Sequence, residues 1–347
     1  MINKEAKLNP KIFEIEVEKK PIRDGFGSGV VKAGEKNENV VVLTADLNES
    51  TRAEEFSKKF PERFFEIGIA EQNLVSVASG LAHLGKIPFA TSYAMFNPGR
   101  NWEQIRTTVA YNNQPVKIVG SHAGLTTGPD GGTHQALEDI ALMRVMPNMV
   151  VISPCDAIEA EKATMACAEN NQPTYLRLGR EKTPIITTAE TPFKIGKAIP
   201  LFQSRINFDE QLDFTIFATG FLVHNALVVA QELAGENDLS GVNKKTLKKK
   251  LKIAVVNIHT IKPLDTDTVL RYAKHSKMIF TLEEHQISGG LGSAIAEVLA
   301  EKNPLKMGFL GVKNEFGQSG KPMELIEKYG LDIEGIKKQI LEKFKAL

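Results

Sequence analysis

The chain has 347 residues, 42% of them apolar and 24% charged, with 43 basic against 42 acidic side chains. That length suits two domains rather than one core, and the apolar share excludes disorder as the dominant state. A net charge of +1 gives no broad basic surface for nucleic acid, no run of 18 apolar residues offers a membrane span, and two cysteines cannot build a disulfide framework.

The first twenty residues lack the apolar run and small-residue cleavage site of a secretory signal. Cys155 and Cys167 fit no zinc spacing. A reducing, cytoplasmic setting is the expectation. Residues 1–19 read as an N-terminal extension. From residue 20 to 182, short β-branched runs alternate with helical patterns. Val40–Thr44 (VVVLT), 116–120 (VKIVG) and 149–153 (MVVIS) read as buried strands. Residues 70–84, 101–111 and 157–170 read as helices between them. Such alternation predicts an α/β domain with a mostly parallel sheet flanked by helices. Ligands then belong beyond the carboxyl ends of the strands.

Residues 183–212 carry Pro184, Pro192 and Pro200 without a sustained period and read as a linker. A second domain of the same class is expected over 213–347. Its strands are 214–218, 253–258 and 277–282, and its helices 224–233 and 292–301. The lysine run at 243–252 (NKKTLKKKLK) reads as a solvated face. The glycines of 288–294 (SGGLGSA) miss the Gly-x-Gly-x-x-Gly spacing of a phosphate loop. A tight turn that brings a helix close to the sheet accounts for them.

Three segments carry chemistry. In 64–74 (FFEIGIAEQNL), Glu71 opens a helix rich in small residues. It reads either as a first-turn acid favoured by the helix dipole or as a poorly solvated acid with a raised pKa, able to share a proton with a heterocycle. In 87–101 (IPFATSYAMFNPGRN), Tyr93 and Phe96 serve either as core or as a platform for a flat ring. In 120–139, two histidines and five glycines follow a strand, with His122 and His134 bracketing Asp130. A backbone approaches a ligand most closely where it is glycine-rich. Metal binding does not fit these spacings, and no metal ligand is assigned in the chain.

Taken together, EIGIAEQNL, ATSYAMF and GPDGGTHQALED resemble the transketolase family of thiamine-diphosphate enzymes. The resemblance covers nearly the whole chain and is to the C-terminal half: a pyrimidine-binding domain followed by a transketolase C-terminal domain. The family's Gly-Asp-Gly element with a later Asn-Asn pair, which holds the diphosphate and Mg2+, has no counterpart here. The resemblance therefore implies the C-terminal subunit of a split enzyme. Its partner would be an N-terminal subunit carrying the diphosphate site and most of the grip on Mg2+. The assembly implied is a homodimer or a two-plus-two heterotetramer.

Residue by residue, Glu71 matches the family glutamate that bonds the aminopyrimidine N1′ of thiamine diphosphate. Tyr93 and Phe96 match the aromatic positions against that ring. The family often has Phe at the first, and Gly99 stands where many members have another tyrosine. Asp46 matches an aspartate near the cofactor. Arg23, Ser50, His122 and Arg180 match residues at the sugar-phosphate end. Asp130 and His134 match residues on the sugar hydroxyls and reacting carbonyl. The reaction implied is transfer of a two-carbon ketol unit from a ketose to an aldose, both phosphorylated. 1-Deoxy-xylulose-5-phosphate synthases and 2-oxo acid dehydrogenase beta subunits share the same segments. Arg23 and Ser50 favour a sugar phosphate over a short oxo acid. An inactive regulatory paralogue is the non-enzyme alternative, and the presence of Glu71, His122, Asp130 and His134 argues against it.

Overall fold

Five fully buried residues, Val40–Thr44, form the strand next to one edge of a seven-stranded sheet. The structure, a computed structural model, describes residues 1–204, 211–235 and 250–347. The sheet runs, in spatial order, Thr260–Lys262, Val150–Ile152, Thr174–Arg177, Lys117–Ser121, Ile87–Tyr93, Val40–Thr44 and Phe64–Glu66. Every pairing is parallel except that of Thr260–Lys262 with Val150–Ile152. Alternate side chains point to opposite faces of a strand. Val40 and Val42 accordingly pack with Phe26 and Phe89 on one face, and Val41 and Leu43 with Leu74 and Val109 on the other. Both faces are buried, so the strand is apolar without alternation.

On the first face, helix Ile22–Lys36 lies against helix Ala157–Glu169. The contact is backbone-close: a Cβ on Gly25 would sit 1.9 Å from the Ala157 carbonyl oxygen. On the second face lies helix Glu71–His83. The helix expected over 101–111 is only one turn of α, Trp102–Gln104, followed by a π-helix over Ile105–Ala110. The Thr107 and Thr108 hydroxyls donate to the Glu103 and Gln104 carbonyls four residues back, at 3.0 and 2.6 Å. The main-chain ladder slips accordingly, and Tyr111 N–H donates to Arg106 O.

The second sheet has the order Met307–Val312, Ser276–Gln286, Leu212–Ala218, Ile253–Asn257, Ile199–Gln203. Only the last pairing is antiparallel. The α/β class with two mostly parallel, helix-flanked sheets is thus as expected. Two segments differ from their sequence reading. Residues 1–19 fold onto the second domain: Ala6 and Ile12 join its core, and Asn3 N–H donates to Leu201 O at 2.8 Å. The proline-bearing 183–212 segment supplies the edge strand Ile199–Gln203, and Lys182–Pro184 pairs with Lys19–Pro21. An edge tolerates Pro200, which has no N–H to give. The lysine run at 243–252 lies largely outside the described residues.

The two halves share one interior. The second-face core of the first sheet continues into Phe217, Val256, Ile279 and Leu291 of the second. Asp46, Tyr93, His122 and Arg180 emerge at or just beyond the carboxyl ends of the first sheet's parallel strands.

Candidate functional site

Glu71 is the first residue of its helix and only 1% exposed. Its carboxylate accepts from Ser92 Oγ at 3.2 Å and from Arg100 Nη1 at 2.5 Å. Asn101 Nδ2 donates to the Glu71 carbonyl at 2.9 Å. Ser92 is the penultimate residue of the Ile87–Tyr93 strand, and the tight turn after Tyr93 returns Arg100 to the glutamate. That turn needs Gly99, because a Cβ there would lie 1.9 Å from Met95 O.

The aromatic pair stands beside the carboxylate. Tyr93 and Phe96 are nearly parallel, at 16° with centroids 6.1 Å apart. The Arg100 guanidinium lies 4.5 Å from the Phe96 centroid while it holds Glu71. His134 meets the edge of Phe96 at 5.4 Å and Tyr93 at 6.4 Å. His122 stacks on Tyr93 at 3.9 Å. Three segments far apart in sequence thus form one wall.

A basic group adjoins it. Arg23 Nη1 donates to the Ser50 carbonyl at 2.9 Å and to His122 Nε2 at 3.0 Å. The His122 proton then belongs on Nδ1, which faces Ser121 Oγ at 3.0 Å. Burial, with Arg23 and Arg180 adding to it, pushes the His122 imidazole down to about 2, so it is neutral. Arg180 Nη1 donates to the Thr127 carbonyl at 2.7 Å. Arg23 Nε is buried without a hydrogen-bond partner. An orphaned Arg23 donor with Arg180 nearby suits an anion.

Two residues stand apart from this cluster. Asp46, exposed and at φ +57°, has its N–H bound to Glu66 Oε1 at 2.8 Å. Asp130 is exposed at the end of the turn Leu125–Asp130. Arg100 was missed from sequence. Its signal was a lone cation in the same segment as the aromatic pair. Glu284, from the second domain, was missed as well. It lies under the 120–139 loop, and burial pushes it up to about 7 against the pull of Arg177.

Residues 18–185 match the family model "Transketolase, pyrimidine binding domain", and residues 205–336 match "Transketolase, C-terminal domain". The chain belongs to the transketolase family. Within it, the chain corresponds to the C-terminal section. It is 44% identical to a protein of Methanocaldococcus jannaschii described as a transketolase C-terminal section, over 94% of this chain and 97% of that one. It is 36% identical to a 6-deoxy-6-sulfo-D-fructose transketolase subunit of Clostridium sp., over 93% of this chain and 94% of the relative. Human transketolase is 33% identical over 90% of this chain but only 47% of its own length. A solved structure described as "Split gene transketolase, inactive beta4 tetramer" superposes with a TM-score of 0.82 at 39% identity, covering 94% of this chain and 98% of the other.

Proposed function

We propose that this chain is the C-terminal subunit of a thiamine-diphosphate-dependent transketolase that moves a two-carbon ketol unit between phosphorylated sugars and is active only with an N-terminal partner subunit. The observation that carries the reading is a carboxylate, Glu71, withdrawn from water beside an aromatic wall, with a basic cluster at the far end of the same wall. These residues suit an aminopyrimidine: a buried acid to share a proton with a ring nitrogen, and two aromatic faces to pack on the ring. Arg100 is the movable partner, since its side chain is 45% exposed and can leave Glu71 for solvent. Bound there, thiamine diphosphate supplies the carbanion-stabilising chemistry of ketol transfer.

The chain's own residues do the rest. Glu71 holds the pyrimidine nitrogen and manages its proton. Tyr93 and Phe96 would fix the plane of the ring, and exposed Asp46 would meet the cofactor from outside the cluster. Arg23 and Arg180 grip the anionic end of the sugar together with the Ser50 hydroxyl, and neutral His122, whose ring nitrogens face Arg23 and Ser121, lines that end and holds Arg23 in place. Asp130 and His134 orient the hydroxyls and the reacting carbonyl. Mg2+ and the diphosphate would be held by the partner, which would carry the Gly-Asp-Gly element and Asn-Asn pair that this chain lacks.

Relatives named for a sulfofructose and for apulose 4-phosphate act on sugars with different anionic ends. The arginine pair would suit either a phosphate or a sulfonate, and a sugar phosphate is the proposed substrate. Among the described residues no helix is long and apolar enough to cross a membrane, and a cytoplasmic enzyme is proposed. The test is to purify the chain with the partner it captures and assay ketol transfer from xylulose 5-phosphate to ribose 5-phosphate. Turnover that needs thiamine diphosphate and both chains is the expected result. Turnover of free sugars as fast as phosphorylated ones, or none with either, would overturn the reading.

A further inference from the structure

The loop that carries His122, Asp130 and His134 belongs to the first domain, yet the second domain grips it from two sides. From beneath comes Glu284, near the end of the Ser276–Gln286 strand and 2% exposed. Its Oε1 accepts from the Thr126 N–H at 2.6 Å, inside the Leu125–Asp130 turn. Gly124, at φ +87°, makes room for it: a Cβ there would lie 2.4 Å from the Glu284 carboxyl carbon. The Glu284 carbonyl accepts from Arg177 Nη2 at 2.9 Å, and Arg177 pairs with Asp139 at the start of the helix that ends the loop. Gln286 N–H adds a bond to Leu137 O.

From above comes the segment after the Met307–Val312 strand. Gln135 Nε2 donates to the Gln318 carbonyl at 3.0 Å. A Cβ on Gly131 would lie 2.5 Å from Ser319 Oγ, and one on Gly132 2.6 Å from Gly317 O. The loop glycines that read as room for a ligand are therefore partly room for the second domain.

We propose that Glu284 is a positioning residue: by fixing the Leu125–Asp130 turn through the Thr126 amide, it sets where the first domain presents His122, Asp130 and His134 to the sugar. Its neighbour Glu283 makes the contrast. That carboxylate spends both oxygens on its own domain, accepting from Leu291 N–H at 2.7 Å and Gly292 N–H at 2.8 Å. A buried carboxylate costs free energy unless its bonds return it. Glu284 returns it across the domain boundary. Its effect on catalysis rests on the transketolase reading, and its effect on the loop does not.

The test therefore has two arms, each run on E284A, E284Q and, should E284A fail to fold, E284D. E284D keeps the charge but draws it back by one methylene. In the full chain, hydrogen exchange is followed in peptides spanning 122–136 and in the helix Leu291–Lys302. E284A or E284D should raise exchange in 122–136 by about tenfold and leave the helix unchanged. E284Q, whose amide oxygen still accepts from Thr126, should stay close to wild type. In the reconstituted complex, E284A should raise the sugar KM by about tenfold with kcat within about threefold, and E284Q should restore KM. Unchanged exchange in 122–136, or a gain spread evenly over the second domain, would overturn the proposal. So would a fall in kcat with KM unmoved. A wild-type complex without ketol transfer would sink the transketolase reading instead, and the exchange arm would still decide whether Glu284 holds the loop.

Discussion

Two glycine-rich segments follow parallel strands in this chain, and they end differently. The one at 288–294 is closed. Glu283 takes the N–H groups of Leu291 and Gly292, and a Cβ on Gly290 would meet its Oε2 at 2.0 Å. The donors that would cradle a phosphate already serve the protein's own carboxylate. The one at 120–139 is open. Glu284 takes a single N–H from beneath, and His134 and Asp130 still reach the surface beside the aromatic wall. Glycine marks where something comes close. Whether that is a ligand or the chain itself depends on the side chain the rest of the fold delivers.

The sharpest break of this contrast comes from the open side. Glu71→Ala should cut turnover of the reconstituted enzyme by about 10²–10⁴-fold, the usual range for a lost proton-sharing group, with the melting temperature close to wild type. Retained turnover would put the chemistry elsewhere. Next, Arg23→Ala removes the unpartnered Nε donor proposed for the sugar phosphate. The KM for a phosphorylated sugar should rise by about 10–100-fold, and for the unphosphorylated sugar hardly at all. An equal rise for both would remove Arg23 from the phosphate.

On the closed side the effect should be on stability. Glu283→Ala leaves two buried N–H groups without an acceptor and should cost about 1–3 kcal/mol in urea unfolding, while the sugar KM stays put. A shifted KM would blur the distinction between the two segments. The smallest expected signal is a null one. His122, held at about 2 by burial and the neighbouring arginines, is neutral from acid to alkaline pH. Its imidazole NMR resonances should not move between about pH 5 and 8, the range over which an ordinary histidine titrates. An inflection near the ordinary histidine value would mean that Arg23 does not face Nε2.

Local pattern made much of this legible. Strands buried on both faces are unbroken apolar runs, so VVVLT, VKIVG and MVVIS were readable as they stood. Tyr93 and Phe96 sit three apart in one turn, so their proximity is a local fact. Contacts that close over long distances in sequence were not readable. Glu284 lies 158 residues from Thr126. Thr260–Lys262 joins the first sheet from the second domain, and nothing in three residues announces that. Ala6 and Ile12 look like an extension until the second core receives them. The π-helix at Ile105–Ala110 carries the same apolar spacing as an α-helix, and its difference lies in which carbonyls two threonines occupy. Glu71 was visible as an acid at a helix start. Its pairing with Arg100 depends on a turn that Gly99 makes possible.

The most direct measurement is a crystal structure of the assembled complex with thiamine diphosphate. A Glu71 oxygen is expected within hydrogen-bonding distance, about 2.7–3.2 Å, of the aminopyrimidine nitrogen, with Arg100 released and the ring against Tyr93 and Phe96. A ring bound elsewhere, with Glu71 still paired to Arg100, would contradict this expectation.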